Sequence, residues 1–181
     1  MIRWALVFVC TIAFASSAIA DDASGAVSRE AMKKLSFLAG KWAGEATVQT
    51  GKDQVKTIKQ TEDIQFRLGG VVLLIEGTGR GKFPDSDKEG ILFNALATIG
   101  YDADAQKYHM RAHVMEGHAV DPELIVKDGC LVWQFTPPKS KVQVRYTITV
   151  TGDIWDEIGE MSFDGKTWNK TMSMTLKRVN E

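Results

Sequence analysis

The stretch KVQVRYTITVTGDIWDEIGEM, residues 141–161, decides the fold. Val142, Val144, Tyr146, Ile148 and Val150 are apolar or aromatic, while Gln143, Arg145, Thr147 and Thr149 between them are polar. A period of two marks a half-buried β-strand, because successive side chains of a strand point to opposite faces. Gly152-Asp153 then supplies a turn, and a two-residue turn fixes which residues face each other across a hairpin. It sets Val150 opposite Trp155, Ile148 opposite Glu157, Val144 opposite Met161 and Val142 opposite Phe163. The apolar face of one strand therefore continues onto the next.

Three other turns extend the same face. Asp128-Gly129 pairs Val126 with Leu131 and Leu124 with Trp133. Gly69-Gly70 pairs Leu68 with Val71, Phe66 with Leu73 and Ile64 with Ile75, and Asp164-Gly165 pairs Met161 with Trp168 and Trp155 with Met174. A slip of one residue at any of them would turn a whole apolar set to the other side. The opposite face carries Asn169, Thr171, Ser173, Thr175 and Lys177, as a solvated sheet face does. Ahead of the strands, Ser28 can cap a short helix bearing Met32, Leu35 and Leu38, with Gly40 as its stop. There is no internal repeat, low-complexity tract or second domain. The expected fold is all-β: a closed antiparallel barrel of about ten strands with a short N-terminal helix, since closure buries the one apolar face and removes the edges. A two-sheet sandwich is the alternative.

Residues 1–20 read as a signal peptide: Arg3 is basic, Trp4 to Ala15 is almost unbroken apolar, and Ala18-Ile19-Ala20 offers small residues for cleavage. The mature chain is expected to begin at Asp21, with residues 21–40 as an N-terminal segment holding the helix and residues 41–179 as the barrel. An apolar run of about 12 residues is too short for a bilayer that needs about 20, so no membrane anchor is expected. Cys10 follows Val9 inside the run, unlike a lipoprotein cysteine. The expected location is exported, periplasmic or extracellular. Loss of Arg3 with the leader moves the formal charge from −1 to −2, and no basic stripe with interleaved aromatics suggests nucleic acid. Only Cys130 survives cleavage, beside a turn, where a buried structural thiol is the default and no intrachain disulfide can form.

Leu38-Ala39-Gly40-Lys41-Trp42-Ala43-Gly44-Glu45 resembles the Gly-x-Trp-x-Gly-Glu opening of lipocalin-like (calycin) bacterial barrels. Ile99-Gly100-Tyr101-Asp102, Phe163-Asp164-Gly165-Lys166-Thr167-Trp168 and the closing Thr175-Leu176-Lys177-Arg178 resemble later landmarks of an uncharacterised bacterial family of that class, from about Leu35 to Val179. The resemblance implies a barrel of about eight to ten strands closed at one end by a short helix, and little about activity. Nitrobindin-type haem barrels are distant relatives that bind iron through a histidine late in the chain. No histidine follows His118 here, so haem is a weak alternative, and no cofactor is expected.

In a closed antiparallel barrel of even strand count the first and last strands are neighbours, so Trp42 at the start of one lies beside Arg178 at the end of the other. Parity counted from Trp168 through Met172, Met174 and Leu176 turns Arg178 inward, where its guanidinium can cover the indole as a structural plug. The inner face also receives Gln60, Glu62, Tyr146, Glu157 and Lys170, with Gly77 and Gly79 opposite Glu62 and Gln60. A buried charge is costly, so these are the informative residues. Glu62, Trp133, Tyr146, Trp155, Glu157 and Met174 are the lumen candidates, within a bulky wall to which Trp168, Met161 and Met172 also belong. No catalytic residue is named, for the chain has no Gly-x-Ser-x-Gly elbow and no phosphate loop.

Of the histidines, His109 and His113 stand about 13 Å apart along a strand, too far to share a metal. A two-residue turn at Glu116-Gly117 would bring His113 and His118 together on the inner face beside Arg111. A three-residue loop at Glu116-Gly117-His118 would instead turn Tyr108, Met110, Ala112 and Val114 inward, which agrees better with an apolar interior. The expected function is an exported barrel holding a small, hydrophobic or amphipathic ligand. The alternatives are a haem barrel with redox or isomerase activity and a structural or interaction module of the cell envelope.

Overall fold

A computed structural model describes residues 17–52, 54–83 and 86–179. Most of the segment read as a leader therefore lies outside the described residues. Helix α1 (Ser17–Lys33) leads into a single 3-10 turn at Ser36–Leu38. Eleven strands follow: β1 (Gly40–Gly51), β2 (Gln54–Arg67), β3 (Val72–Lys82), β4 (Glu89–Asp102), β5 (Lys107–Val114), β6 (Ala119–Val120), β7 (Glu123–Lys127), β8 (Cys130–Phe135), β9 (Gln143–Thr151), β10 (Ile154–Ser162) and β11 (Asn169–Val179). They form one antiparallel sheet in the order β6-β5-β4-β3-β2-β1-β11-β10-β9-β8-β7, curled into an open half-barrel.

The helix is longer than a cap at Ser28 implies. The alanines Ala18, Ala20, Ala23 and Ala26 extend it upstream, because alanine has the best intrinsic propensity for helix. Ser28 thus lies inside α1, where its Oγ donates to the Tyr101 carbonyl oxygen (3.0 Å). The expected cleavage point before Asp21 also falls within this helix.

Three of the four hairpins have the registers that their turns dictate. Val150 faces Trp155 and Ile148 faces Glu157 across Gly152-Asp153, and Leu124 faces Trp133 across Asp128-Gly129. Phe66 faces Leu73, and Ile64 faces Ile75, across a 3-10 turn at Leu68–Gly70 in which Gly69 has φ +67°. The β10–β11 hairpin differs. Trp155 pairs with Leu176 and Glu157 with Met174, a slip of two residues that keeps the faces unchanged. Phe163–Trp168 is a longer loop, tied by the Asp164 carboxylate, which accepts from the backbone N–H groups of Lys166 and Thr167. Those bonds hold its carboxyl down to about 2.

Closer to that loop β11 carries an extra residue: Gly159 pairs with Met172, but Glu160 pairs with Lys170, leaving Thr171 unmatched. A bulge of one residue reverses the faces of everything beyond it. Lys170 and Trp168, expected inside, are therefore outside. Arg145 lies over the Trp168 ring at 3.9 Å and bridges Glu160 at 2.8 Å. Met161 and Phe163 are exposed as well.

Where the sequence reading expects a closed ring of about ten strands, the sheet has eleven. Among the described residues no ladder joins its two edges. The edges are consecutive in the chain: β6 pairs only with β5 and β7 only with β8. Asp121-Pro122 separates them, and proline has no N–H to continue a ladder.

The end of the sheet nearest α1 is sealed. Met32, Leu35, Leu38 and Trp42 are buried there with Ile64, Leu73, Ile99 and Leu176. Tyr108 donates its hydroxyl to the Ala31 carbonyl (2.7 Å), and the Trp42 indole N–H donates to Leu38 O (2.8 Å). Trp42 and Arg178 are ladder partners on β1 and β11, with the guanidinium 4.0 Å from the ring centroid. Arg178 also donates to the carbonyls of Phe37 and Ala39 and to Asp153. Gly40, with φ +123°, is required at this spot: a Cβ would stand 2.5 Å from the Arg178 Nη1.

Replacing Trp42 by alanine is expected to destabilise the fold by about 3–5 kcal/mol through the cavity it leaves. Arg178→Lys should cost about 1–3 kcal/mol, because lysine cannot both cover the ring and reach the Phe37 and Ala39 carbonyls. Urea midpoints at unchanged m-value check both.

Candidate functional site

The residues that matter chemically lie on the inner face above the Trp42 plug. Alternation along β2 turns Ile58, Gln60, Glu62 and Ile64 to one side, and all four are buried. The same alternation on β10 buries Trp155, Glu157 and Gly159. β1 lies between β2 and β11, so these two carboxyl-bearing strands flank the middle of the sheet. Curling brings their inner faces toward each other.

Glu62 and Glu157 are 9% and 7% exposed. Burial raises Glu62 to about 7, partly countered by the Gln60 amide, which donates to its Oε1 at 2.8 Å. Burial, with repulsion from Glu62, raises Glu157 to about 8, partly countered by the Trp155 indole, which donates to its Oε2 at 3.2 Å. Two like charges sharing a low-dielectric interior do not ionise independently, so near neutrality the pair retains a proton. Tyr146 is raised too, by burial and then by Glu157.

Glycines shape the space around these groups. A Cβ on Gly77 would stand 2.8 Å from both oxygens of Glu62, and one on Gly159 would meet the Tyr146 ring at 2.7 Å. The carboxyl of Glu62 and the ring of Tyr146 thus lie flat against bare backbone on neighbouring strands. Any side chain there would displace them.

The sequence-derived candidates divide into two groups. Trp155 and Met174 are sealed in the core, with Trp155 edge-on to Trp42 at 5.5 Å. Trp133 and Tyr146 are half-buried and stacked at 4.2 Å nearer the mouth. Phe135 extends the stack, 5.8 Å from Trp133 and nearly parallel to it. Sequence reasoning passed over Phe135, although it lies two residues beyond Trp133 on the same strand face.

The histidines lie elsewhere. His118 O accepts from Val114 N–H and Gly117 has φ +83°, so a three-residue loop, Met115–Gly117, connects β5 to β6. Tyr108, Met110, Ala112 and Val114 accordingly turn inward, while His109, Arg111, His113 and His118 are exposed. The inward His113–His118 arrangement is therefore corrected: the loop has three residues, set one position earlier than Glu116–His118, and its third residue reverses the face. Arg111 pairs with Asp121 at 2.9 Å on the surface. Cys130 is a half-buried free thiol beside the Gly129 turn.

Among the described residues, two of the clefts open to solvent bear on the site. One, of about 540 Å³, lies at the mouth where the two edges of the sheet approach, and Ala119, Asp121, Glu123, Phe135, Pro138 and Gln143 contribute to its walls. The other, of about 260 Å³, lies at the sealed end beside Arg178. Neither is lined by Glu62 or Glu157. The first reaches the aromatic stack through Phe135.

No family model matches the chain, and no curated protein matches it in sequence. Among solved structures it is similar to Rv2717c from M. tuberculosis, at 14% identity and a TM-score of 0.59, over 83% of this chain and 98% of that one. A protein of unknown function of the DUF3598 family from Nostoc punctiforme PCC 73102 aligns over 82% of this chain at 8% identity, with a TM-score of 0.23 that carries no argument. The likeness to Rv2717c shows the fold alone, a curled antiparallel sheet of barrel-like form.

The raised carboxyls make stability depend on pH with a definite sign. Between about 4.5 and about 8 the folded chain keeps protons that the unfolded chain has released, so stability falls as pH rises through that window. Glu157→Gln is expected to flatten this fall and to raise the unfolding midpoint at pH 8. Urea titrations of both proteins from pH 5 to pH 8 measure it.

Proposed function

We propose that the chain is an exported, lipocalin-like barrel that holds a small, largely apolar ligand against its inner aromatic wall. The observation that carries this reading is the Phe135–Trp133–Tyr146 stack: three aromatic rings on the concave face, half-buried, with the mouth cleft at one end. A packed core would hide such rings, and a purely solvated face would not stack them. Ligand sites of this kind are concave and mostly apolar, with a few polar groups fixing orientation. Here Tyr146, Glu157 and Glu62 are those groups.

The seam between β5 and β7 suits entry. Its strands approach within 8 Å between Cα atoms without a ladder, and Asp121-Pro122 keeps the hydrogen bonding interrupted. In the proposed working form the two edges meet around the bound molecule and complete the barrel. The export part of this reading rests on the leader-like residues 1–20 alone.

The test is a titration of intrinsic tryptophan fluorescence with a neutral naphthalene alcohol, 1-naphthylmethanol, alongside native mass spectrometry of the purified protein. Saturable binding is expected, with Trp133→Ala weakening it about fivefold or more, as loss of one stacked ring implies. An affinity unchanged by Trp133→Ala, or no saturable binding, would count against an inner aromatic site.

A further inference from the structure

Given that the interior holds a small ligand, the donors and acceptors of the site specify its head group. Gln60 spends its amide N–H on Glu62, and Trp155 spends its indole N–H on Glu157. Three acceptors then receive no hydrogen bond among the described residues: the Gln60 carbonyl oxygen, the Glu62 Oε2 and the Glu157 Oε1. Gln60 is only 3% exposed, and its free oxygen sits 2.8 Å from where a Gly79 Cβ would be, as the Glu62 oxygens do at Gly77. No buried side-chain nitrogen or oxygen is left unsatisfied among the described residues, so these oxygens border space that water can reach.

Among the described residues, no cationic side chain on the inner face pairs with Glu62 or Glu157. The elements packed against the two carboxyls contribute Gly44 and Ala46 from β1, Gly77 from β3, Ile148 from β9 and Met174 from β11. The titratable groups facing Glu62 and Glu157 are each other and Tyr146. Arg178 is committed to the sealed end, and Lys56, on the same face of β2 toward the mouth, donates to the Lys82 carbonyl oxygen. Two buried carboxyls without a cation are costly, whereas a cation brought by a ligand would meet acceptors already in place.

We propose that Glu62, Glu157 and Gln60 form a recognition site for a ligand carrying a protonated primary amine on an apolar body, its ammonium donating to the three free oxygens while the body lies against Trp133 and Tyr146. The inference rests on the ligand-binding reading and narrows it to one class of ligand. An ammonium offers three donors and one positive charge, which matches three acceptors and a carboxyl pair that must lose its proton. Entry of the cation expels that proton to solvent, so affinity rises with pH, by at most about tenfold per unit while one proton is released. A carboxylate ligand would bring further negative charge beside the pair and is excluded.

The experiment uses the full chain and three probes of one shape: 1-naphthylmethylamine, 1-naphthylmethanol and 1-naphthylacetate. At pH 7.5 calorimetry should find the amine bound at least tenfold more tightly than the alcohol and the acetate not bound. Between pH 6 and pH 8 the amine's affinity should rise while the alcohol's stays level. Glu157→Gln, and separately Glu62→Gln, should narrow the amine–alcohol gap to under threefold; each is an isostere of the protonated acid, and the pH series on the unaltered protein serves if either fails to fold. Equal affinity for amine and alcohol, or a gap that survives both substitutions, would overturn the ammonium site and leave the ligand-binding reading standing. Failure of all three probes to bind would overturn both.

Discussion

The contact of Arg178 with Trp42 is the constraint on which the rest of the molecule depends. It joins the first long strand to the last, residues separated by almost the whole sheet in sequence, and ties both to the 3-10 turn after the helix. Loop-closure entropy opposes bringing such distant segments together, so the contact must be dense to hold. Here one guanidinium stacks on an indole, donates to two carbonyls and pairs with Asp153. With β1 and β11 locked side by side, the remaining strands extend from them in hairpins to either side, and their outermost members are left facing each other across the seam.

That arrangement explains why the interior tolerates two carboxyls. The sealed end supplies the large apolar core, with Met32, Leu35, Leu38, Trp42 and Leu176 fully or almost fully buried. Above it the side chains thin out to glycine and alanine at Gly44, Ala46, Gly77 and Gly79, and the polar groups occupy that thinner layer. A raised affinity for protons is the chain's way of burying Glu62 and Glu157 without two full charges. The consequence is an interior whose charge state lies near its switching point at ordinary pH.

The edges of the sheet show the opposite economy. An antiparallel sheet with free edges invites pairing with other chains, and proteins commonly blunt such edges with charge, proline or brevity. β6 has two residues, Pro122 follows it, and Glu123 and Lys127 bound β7. The exposed Arg111–Asp121 pair spans the same region. The seam is thus protected without being laced.

The alternation of apolar and polar residues and the glycine turns were enough to read the all-β class, the inward set Gln60, Glu62, Tyr146 and Glu157, and the meeting of Trp42 with Arg178. Those features are local: a strand's period and a turn of known length determine facing by themselves. The length of α1, the bulge at Thr171 that sends Lys170 and Trp168 outward, the loop at Met115–Gly117 that turns the histidines to solvent, and the broken ladder at Asp121-Pro122 were decided only in three dimensions. The last three each depend on one residue inserted or one hydrogen bond withheld, and period-two patterning is blind to a single residue that belongs to neither face. The influence of Glu62 on Glu157 is of the same kind, since β1 and β11 separate the strands that carry them and only the curl of the sheet turns their inner faces toward each other.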